Sequence, residues 1–272
     1  MVKGEKIIVE NGTIRKAQLK ILEILCEIDR VCKLHSINFY LAKGTLLGAV
    51  KYHGFIPWDD DCDIYMMRKD YEIFEKYASK DLASNLFFQT KKTDTVNCNI
   101  AKVRMNGTKL VAEGESEEES FHQGLFVDVF ILDYYPEWAI HAGNAFNIVP
   151  NLRAKRKMFK KGGLKRAFYS VAIAPIFWLH TIFEKPFIYL VCPLFRSNPN
   201  NEYMCQEAKL FNWLYFKTKD FWPSVKLQFE GHQFLAPGNF EDLLQKQYGV
   251  DYRDVEPPKE ARIPKHAQKI VV

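Results

Sequence analysis

Four aspartates packed into five positions, Asp59, Asp60, Asp61 and Asp63, followed at once by an apolar run, constrain this chain more than any other feature. They close the stretch Tyr40–Met67, Y-L-A-K-G-T-L-L-G-A-V-K-Y-H-G-F-I-P-W-D-D-D-C-D-I-Y-M-M. In an extended segment side chains alternate, so Asp61, Asp63 and Tyr65 share one face while Cys62, Ile64 and Met66 point into a core. Asp60 falls outside that pair and reads as a bystander. Neighbouring carboxylates raise one another's pKa unless a cation neutralises them. Oxygen-only ligands favour a hard ion, magnesium with manganese as a substitute, held by carboxylates and a substrate's phosphates. An EF-hand loop is excluded, because counting from Asp59 its sixth position is Ile64 where glycine is required. An acidic solvated turn is the alternative.

The flanks extend the same reading. Phe39–Ala42 reads as a strand running into Gly44 and Thr45, which open a helix whose free amides could face an anion. A strand-to-helix turn without a ligand fits Gly44 and Thr45 equally well. Trp58 could stack on a base or face a ligand cation, or it could pack in the core. Lys102 and Arg104, two apart in the strand Ile100–Met105, share a face that could meet a phosphate or stay solvated. Asn106-Gly107 is a hairpin signal joining that strand to Thr108–Val111. Asp128 interrupts the apolar run Gly124–Asp133, where a charge is costly unless paired or bound to metal, so it is the candidate third carboxylate and general base.

The rest of the chain supplies scaffold. Ile14, Ala17, Ile21, Ile24, Leu25, Ile28, Val31 and Cys32 repeat at helical spacing. A second helix is expected over Asp70–Leu82, a strand over Leu86–Thr90, and a helix over Phe240–Tyr248 ended by Gly249. The residues beyond Pro257-Pro258 read as an extended tail, from which His266 could reach the site, with a place on the surface the preferred reading. A hydrophobic content of 47% in 272 residues allows a packed core and argues against disorder. Six cysteines at 26, 32, 62, 98, 192 and 205 form no C-x-x-C pair, which suits reduced thiols, makes zinc improbable and places the protein in the cytoplasm. The amino terminus carries no signal-peptide pattern.

Charge is unevenly spread. No acidic residue lies between Glu137 and Glu184, whereas Arg153, Lys155, Arg156, Lys157, Lys160, Lys161, Lys165 and Arg166 form a basic cluster within a net charge of +5. Aromatic and apolar residues follow, interrupted by Pro175, His180 and Glu184-Lys185-Pro186, so neither stretch reaches a spanning length. Contact with an anionic membrane surface and a buried helical lobe are both compatible with this pattern. The cluster lacks the interleaved stacking residues of single-strand binders, so no nucleic-acid partner is expected.

Taken together, G-T-L-L-G-A-V-K, F-I-P-W-D-D-D-C-D-I, K-V-R-M-N-G-T, G-L-F-V-D-V-F-I-L-D and the later F-E-G-H-Q-F-L-A-P-G-N-F-E-D-L-L-Q-K-Q-Y-G-V-D-Y resemble the LicD family of phosphorylcholine transferases, relatives of the fukutin proteins. The resemblance implies an α+β fold: a nucleotidyltransferase-like mixed β-sheet with flanking helices, plus an added helical lobe that a membrane could contact. Expected domains are a catalytic core over 1–140, a basic and aromatic insertion over 141–215, and a segment over 216–272 that packs back on the core. It implies magnesium-dependent transfer of phosphocholine from CDP-choline to a hydroxyl of a lipid-linked teichoic acid or lipopolysaccharide precursor, at the inner face of the cytoplasmic membrane. Asp61, Asp63 and Asp128 would then be catalytic, with Asp59 joining them around the metal, and Gly44, Thr45, Lys102, Arg104 and Trp58 would meet the donor. Lys43 and Lys51 depart from the family pattern. The alternatives are a D-x-D glycosyltransferase using a nucleotide sugar, transfer of a different phospho-group, or a non-catalytic membrane-associated partner.

Overall fold

The helical period at the start of the chain is the organising element. In the computed structural model, which describes residues 11–94, 100–112, 114–146, 163–206, 215–264 and 266–272, helix α1 spans Asn11–Leu34. All eight apolar positions marked by its spacing are buried. Each buried isoleucine or leucine contributes about 1.5–3 kcal/mol of hydrophobic free energy. Gln18 is also buried there, and its Nε2 donates to the carbonyls of Ile56 and Asp59, both at 3.0 Å. Thus α1 fixes the backbone on which the aspartates begin.

The chain then runs through β1 (Tyr40–Leu41), α2 (Lys43–Tyr52), β2 (Asp63–Met67), α3 (Arg68–Asp81), β3 (Leu86–Gln89), β4 (Ala101–Met105), β5 (Lys109–Ala112) and β6 (Phe126–Tyr135). The sheet order is β1-β2-β6-β4-β3. Strand β2 is buried at all five positions, Tyr65 included, so both of its faces are covered and the expected division into a core face and an open face does not hold. The turn at Asn106-Gly107 forms, with Gly107 at φ 78°, but it does not make a hairpin. Both edges of β4 are already taken, by β3 and β6, so β5 pairs elsewhere. Of the expected thiols, Cys26, Cys32, Cys62, Cys192 and Cys205 are free, and Cys98 lies outside the described residues.

Residues 132–219 form a compact unit of their own, and residues 1–131 with 220–272 form the other. The smaller unit contains α4 (Glu137–Phe146), α5 (Leu164–Pro186), β7 (Tyr203–Gln206) and β8 (Tyr215–Lys217). Its strands pair with the end of β6, Leu132 opposite Gln206 and Tyr135 opposite Tyr203. Tyr135, Ala139, Ile140, Cys192 and Cys205 make its small core. Pro175, His180 and Glu184-Lys185-Pro186 interrupt the apolar run as expected, and among the described residues no helix is long and apolar enough to cross a membrane, yet they do not end the helix. Helix α5 passes through Pro175 and reaches Pro186, where it widens into one π turn, Phe187–Val191. One proline removes one backbone hydrogen bond, a local cost that a long helix survives.

The larger unit closes with β9 (Val225–Phe229), β10 (His232–Ala236), α6 (Phe240–Tyr248) and β11 (Ala267–Val271). Glu230 and Gly231 both have positive φ, 50° and 80°, which makes the tight β9–β10 hairpin turn. Asn239 caps α6 by accepting from the Asp242 amide. The residues expected as an extended tail end in β11, which pairs antiparallel with β5.

Glu230 fastens the hairpin to the approach loop of the aspartates. Its carboxylate accepts both Arg15 guanidinium bonds at 2.8 and 2.7 Å and the Phe55 amide at 3.2 Å, while its own amide donates to His53 at 2.8 Å. The Arg15 hydrogen bonds hold this carboxyl below its ordinary value of 4.5. A depressed folded pKa gives stability that is present above the unfolded value and lost as pH falls through the folded one. Because the Arg15 side chain is half exposed, the pair is worth about 1 kcal/mol. Glu230→Gln is therefore expected to melt a few degrees lower at neutral pH, with the gap to the parent closing in acid. A thermal melt series across pH checks this, and a gap independent of pH would refute it.

Candidate active site

Strand β2 begins at the last aspartate, and the first turn of α2 holds it in place. The Asp63 amide donates to Thr45 Oγ1 at 2.7 Å, so the buried Thr45 hydroxyl oxygen faces the aspartate strand. A Cβ on Gly44 would stand 2.9 Å from Asp59 Oδ2. Glycine at this position lets the Asp59 carboxylate approach the positive end of α2. The first anion met by that helix end is thus a side chain of the protein itself.

Four carboxylates converge beyond this turn. Burial first, then the charge of Asp61, and further those of Asp128 and Asp59, push the Asp63 carboxyl well above its ordinary range, against the opposing pull of Lys43. Asp128 lies directly opposite Lys102 across β6 and β4, forms an ion pair with it, and donates its amide to the Cys62 carbonyl at 2.8 Å. That bond stitches the two aspartate-bearing segments together. Lys43, at φ 45°, places its Nζ 3.0 Å from the centroid of the Phe130 ring. The departure at Lys43 therefore adds a positive charge to the site itself.

The carboxy-terminal residues complete the arrangement. Asp60 is fully buried and accepts the Ala267 amide at 2.6 Å and the His266 amide at 3.1 Å on Oδ2. It is a structural tie and not a bystander. His266 Nε2 stands 2.9 Å from Asp61 Oδ2, so the expected surface histidine reaches the site. The hydrogen bond with Asp61, aided by the charges of Asp61, Asp60 and Asp128 and opposed by burial, pushes His266 up to about 9. Lys51 holds the same segment at the carbonyls of Val255 and Tyr252, 2.9 and 3.3 Å away, and Glu256 at 3.0 Å. Tyr248 on α6 also faces the cluster, its phenol raised by burial and then by Asp63, Asp59 and Asp61. Sequence reasoning missed Tyr248, and of the two places open to His266 the structure takes the one at the site.

The remaining expected ligand contacts are placed differently. Trp58 is half-buried, with the Tyr52 ring 6.3 Å away and the Arg262 guanidinium 5.3 Å from its centroid. Tyr40 and Tyr65 are fully buried, and Tyr40 packs on Phe221 and Trp222. Arg104 is buried, donating to Gln89 and to the Gly124 carbonyl, both at 2.6 Å, which removes the solvated strand face expected there.

The donor set fits a divalent cation. Asp59, Asp61, Asp63 and Asp128 gather negative charge beside Lys43, Lys102 and His266, and the Asp63 carboxyl is raised by burial first and by the neighbouring carboxylates after it. Among the described residues, ligand atoms of Asp60, Asp61 and His266 lie within 4.8 Å of one another. Asp61 belongs to both arrangements, which makes it the central ligand candidate.

Residues 36–141 match the family model described as LicD/FKTN/FKRP, nucleotidyltransferase domain. A protein of Haemophilus influenzae named lipopolysaccharide cholinephosphotransferase LicD is 27% identical over 281 aligned residues, covering 96% of this chain and 98% of that protein. Two uncharacterized proteins, of Rickettsia prowazekii and Rickettsia typhi, are each 36% identical over 55 residues, 20% of this chain and 21% and 18% of theirs. The matched segment carries α2, β2, β4 and β6, and with them Asp59, Asp61, Asp63, Lys102 and Asp128. Residues 36–141 are thus similar to the nucleotidyltransferase domain of the LicD family, and similarity to one LicD protein runs along nearly the whole chain.

Proposed function

We propose that this protein transfers phosphocholine from CDP-choline to a hydroxyl of a lipid-linked cell-surface glycan precursor, of the lipopolysaccharide or teichoic acid type, with release of CMP. The observation that carries the reading is similarity along nearly the whole chain to a lipopolysaccharide cholinephosphotransferase. The converging carboxylates support it independently, because phosphoryl transfer depends on positioning and charge neutralisation more than on covalent chemistry.

Each residue has a part in that reaction. Asp61 and Asp63, with Asp59 beside them, would hold the cation, and Asp128 would orient or deprotonate the attacking hydroxyl. When bound, magnesium supplies neutralisation of the donor's pyrophosphate. Lys102 keeps Asp128 aimed into the site, and Lys43 adds positive charge beside the donor's phosphates. Gly44 leaves room at the end of α2, Thr45 fixes the start of β2, and Trp58 lines the approach to the aspartates. Arg104 supports the sheet beneath, stacked with Lys102 on the Phe126 ring. The setting is the cytoplasmic face of the membrane, where nucleotide-activated donors and lipid-linked acceptors meet.

Purified protein incubated with magnesium, an acceptor glycan and a panel of CDP-alcohols and nucleotide sugars tests the proposal. CMP release from CDP-choline above the other donors is the expected result. UDP release from a nucleotide sugar would replace it with the glycosyltransferase reading, and CMP from another CDP-alcohol would change the transferred group.

A further inference from the structure

Helix α5 leaves an apolar stripe open to solvent. Leu164, Phe168, Val171, Trp178 and Ile182 follow one another at steps of four, three, seven and four residues, which sets them along one side of the helix. Their exposures are 90, 79, 75, 67 and 42%. Pro175, also exposed, fills the gap in the same line. Single exposed apolar residues are ordinary, but a stripe along more than twenty ångströms of helix marks a surface that something covers.

The neighbouring charge identifies the cover. Arg153, Lys155, Arg156, Lys157, Lys160 and Lys161 precede α5 in the sequence and lie outside the described residues, and Lys165 stands exposed in its first turn. No acidic residue occurs from Trp138 to Phe183. A second copy of this chain would carry the same excess of positive charge without a single acid over 138–183 to pair with it, which like-charge repulsion opposes. Anionic headgroups beside an apolar layer match both features at once. Among the described residues no helix is long and apolar enough to cross a membrane, so the fit is to a helix lying in the interface. Trp178 suits that depth, where amphipathic aromatic rings collect.

We propose that this side of α5 is a docking surface for an anionic lipid bilayer, with the stripe set at the acyl-chain boundary and Lys165 toward the headgroups. It adds a partner to the transferase reading without depending on it, since vesicle binding and CMP release fail separately.

The test is flotation of the full chain with phosphatidylcholine vesicles that contain or lack phosphatidylglycerol, at low and high salt. The parent is expected to float with the anionic vesicles at low salt and to be released by high salt. The double variant Phe168→Glu/Trp178→Glu is expected to float at least about tenfold less, because two apolar anchors become repelled charges. Both positions are exposed, so the variant should keep the parent's melting temperature and its rate on water-soluble donor and acceptor. As a second readout, vesicle addition should blue-shift the fluorescence that differs between the parent and Trp178→Phe. Absence of parental flotation, equal flotation of the double variant, or a parent dimer that the variant splits without any lipid binding would each overturn the proposal.

Discussion

Asp61→Ala and Asp63→Ala are each expected to lower phosphocholine transfer by at least about a thousandfold, roughly 4 kcal/mol of lost transition-state stabilisation. Both variants should stay folded. The more discriminating variant is Asp63→Asn, because activity and stability are then expected to move in opposite directions. Asp63 is buried among Asp61, Asp128 and Asp59, and its carboxyl is raised well above the ordinary range. A carboxyl whose folded pKa exceeds its unfolded one destabilises the fold once pH rises above the unfolded value, so at neutral pH in a chelator its charge opposes folding. Removing that charge while keeping the shape should raise the melting temperature in chelator as it abolishes turnover. Added magnesium should then stabilise the parent and leave the variant unchanged, since ligand binding adds stability only where a site exists. Melting curves with and without magnesium, beside a CMP-release assay, make the comparison. Unchanged magnesium-dependent turnover, or a lower melting temperature for Asp63→Asn in chelator, would remove Asp63 from the cation site.

Local patterns made half of this site readable. The spacing of Ile14 through Cys32 gave α1, and an acid inside the apolar run around Asp128 announced a strand with a task. What escaped was pairing over long sequence distances. Asn106-Gly107 looked like a hairpin because nothing local records that β4 has β3 and β6 on its two edges. The real hairpin turns at Glu230-Gly231, where glutamate takes a left-handed conformation that Asn or Asp usually fills. Its carboxylate is held by Arg15 and Phe55, a tertiary reason that a turn rule does not contain. The part of Lys43 escaped, and the place of His266 was left open, for the same cause: each meets the aspartates only after the chain has folded around α2.

Asp60→Ala is expected to destabilise the protein by about 1–3 kcal/mol, several degrees of melting temperature, without touching the paired carboxylates of β2 and β6. Two backbone amides, those of His266 and Ala267, end on the Asp60 carboxylate, and both lose their acceptor in the variant. The charge itself is not what holds them. Burial pushes the Asp60 carboxyl up against the opposing effect of the two amides, so desolvation outweighs their favourable pull on the ionised form. Asp60→Asn keeps an acceptor oxygen and loses the desolvated charge, and should therefore melt above Asp60→Ala. The consequence should spread along the strand pair, because β11 enters its ladder with β5 at Ala267 opposite Ala112. Hydrogen exchange at Lys109–Ala112 and Ala267–Val271 should quicken in Asp60→Ala. His266→Ala keeps both backbone amides on Asp60, so its exchange there should match the parent even though Asp61 loses its imidazole partner. Equal exchange in Asp60→Ala and the parent would show that β5 alone holds the carboxy-terminal strand. Faster exchange in Asp60→Ala alone would mean that one buried aspartate fastens the strand while its neighbour, Asp61, is left to the cation.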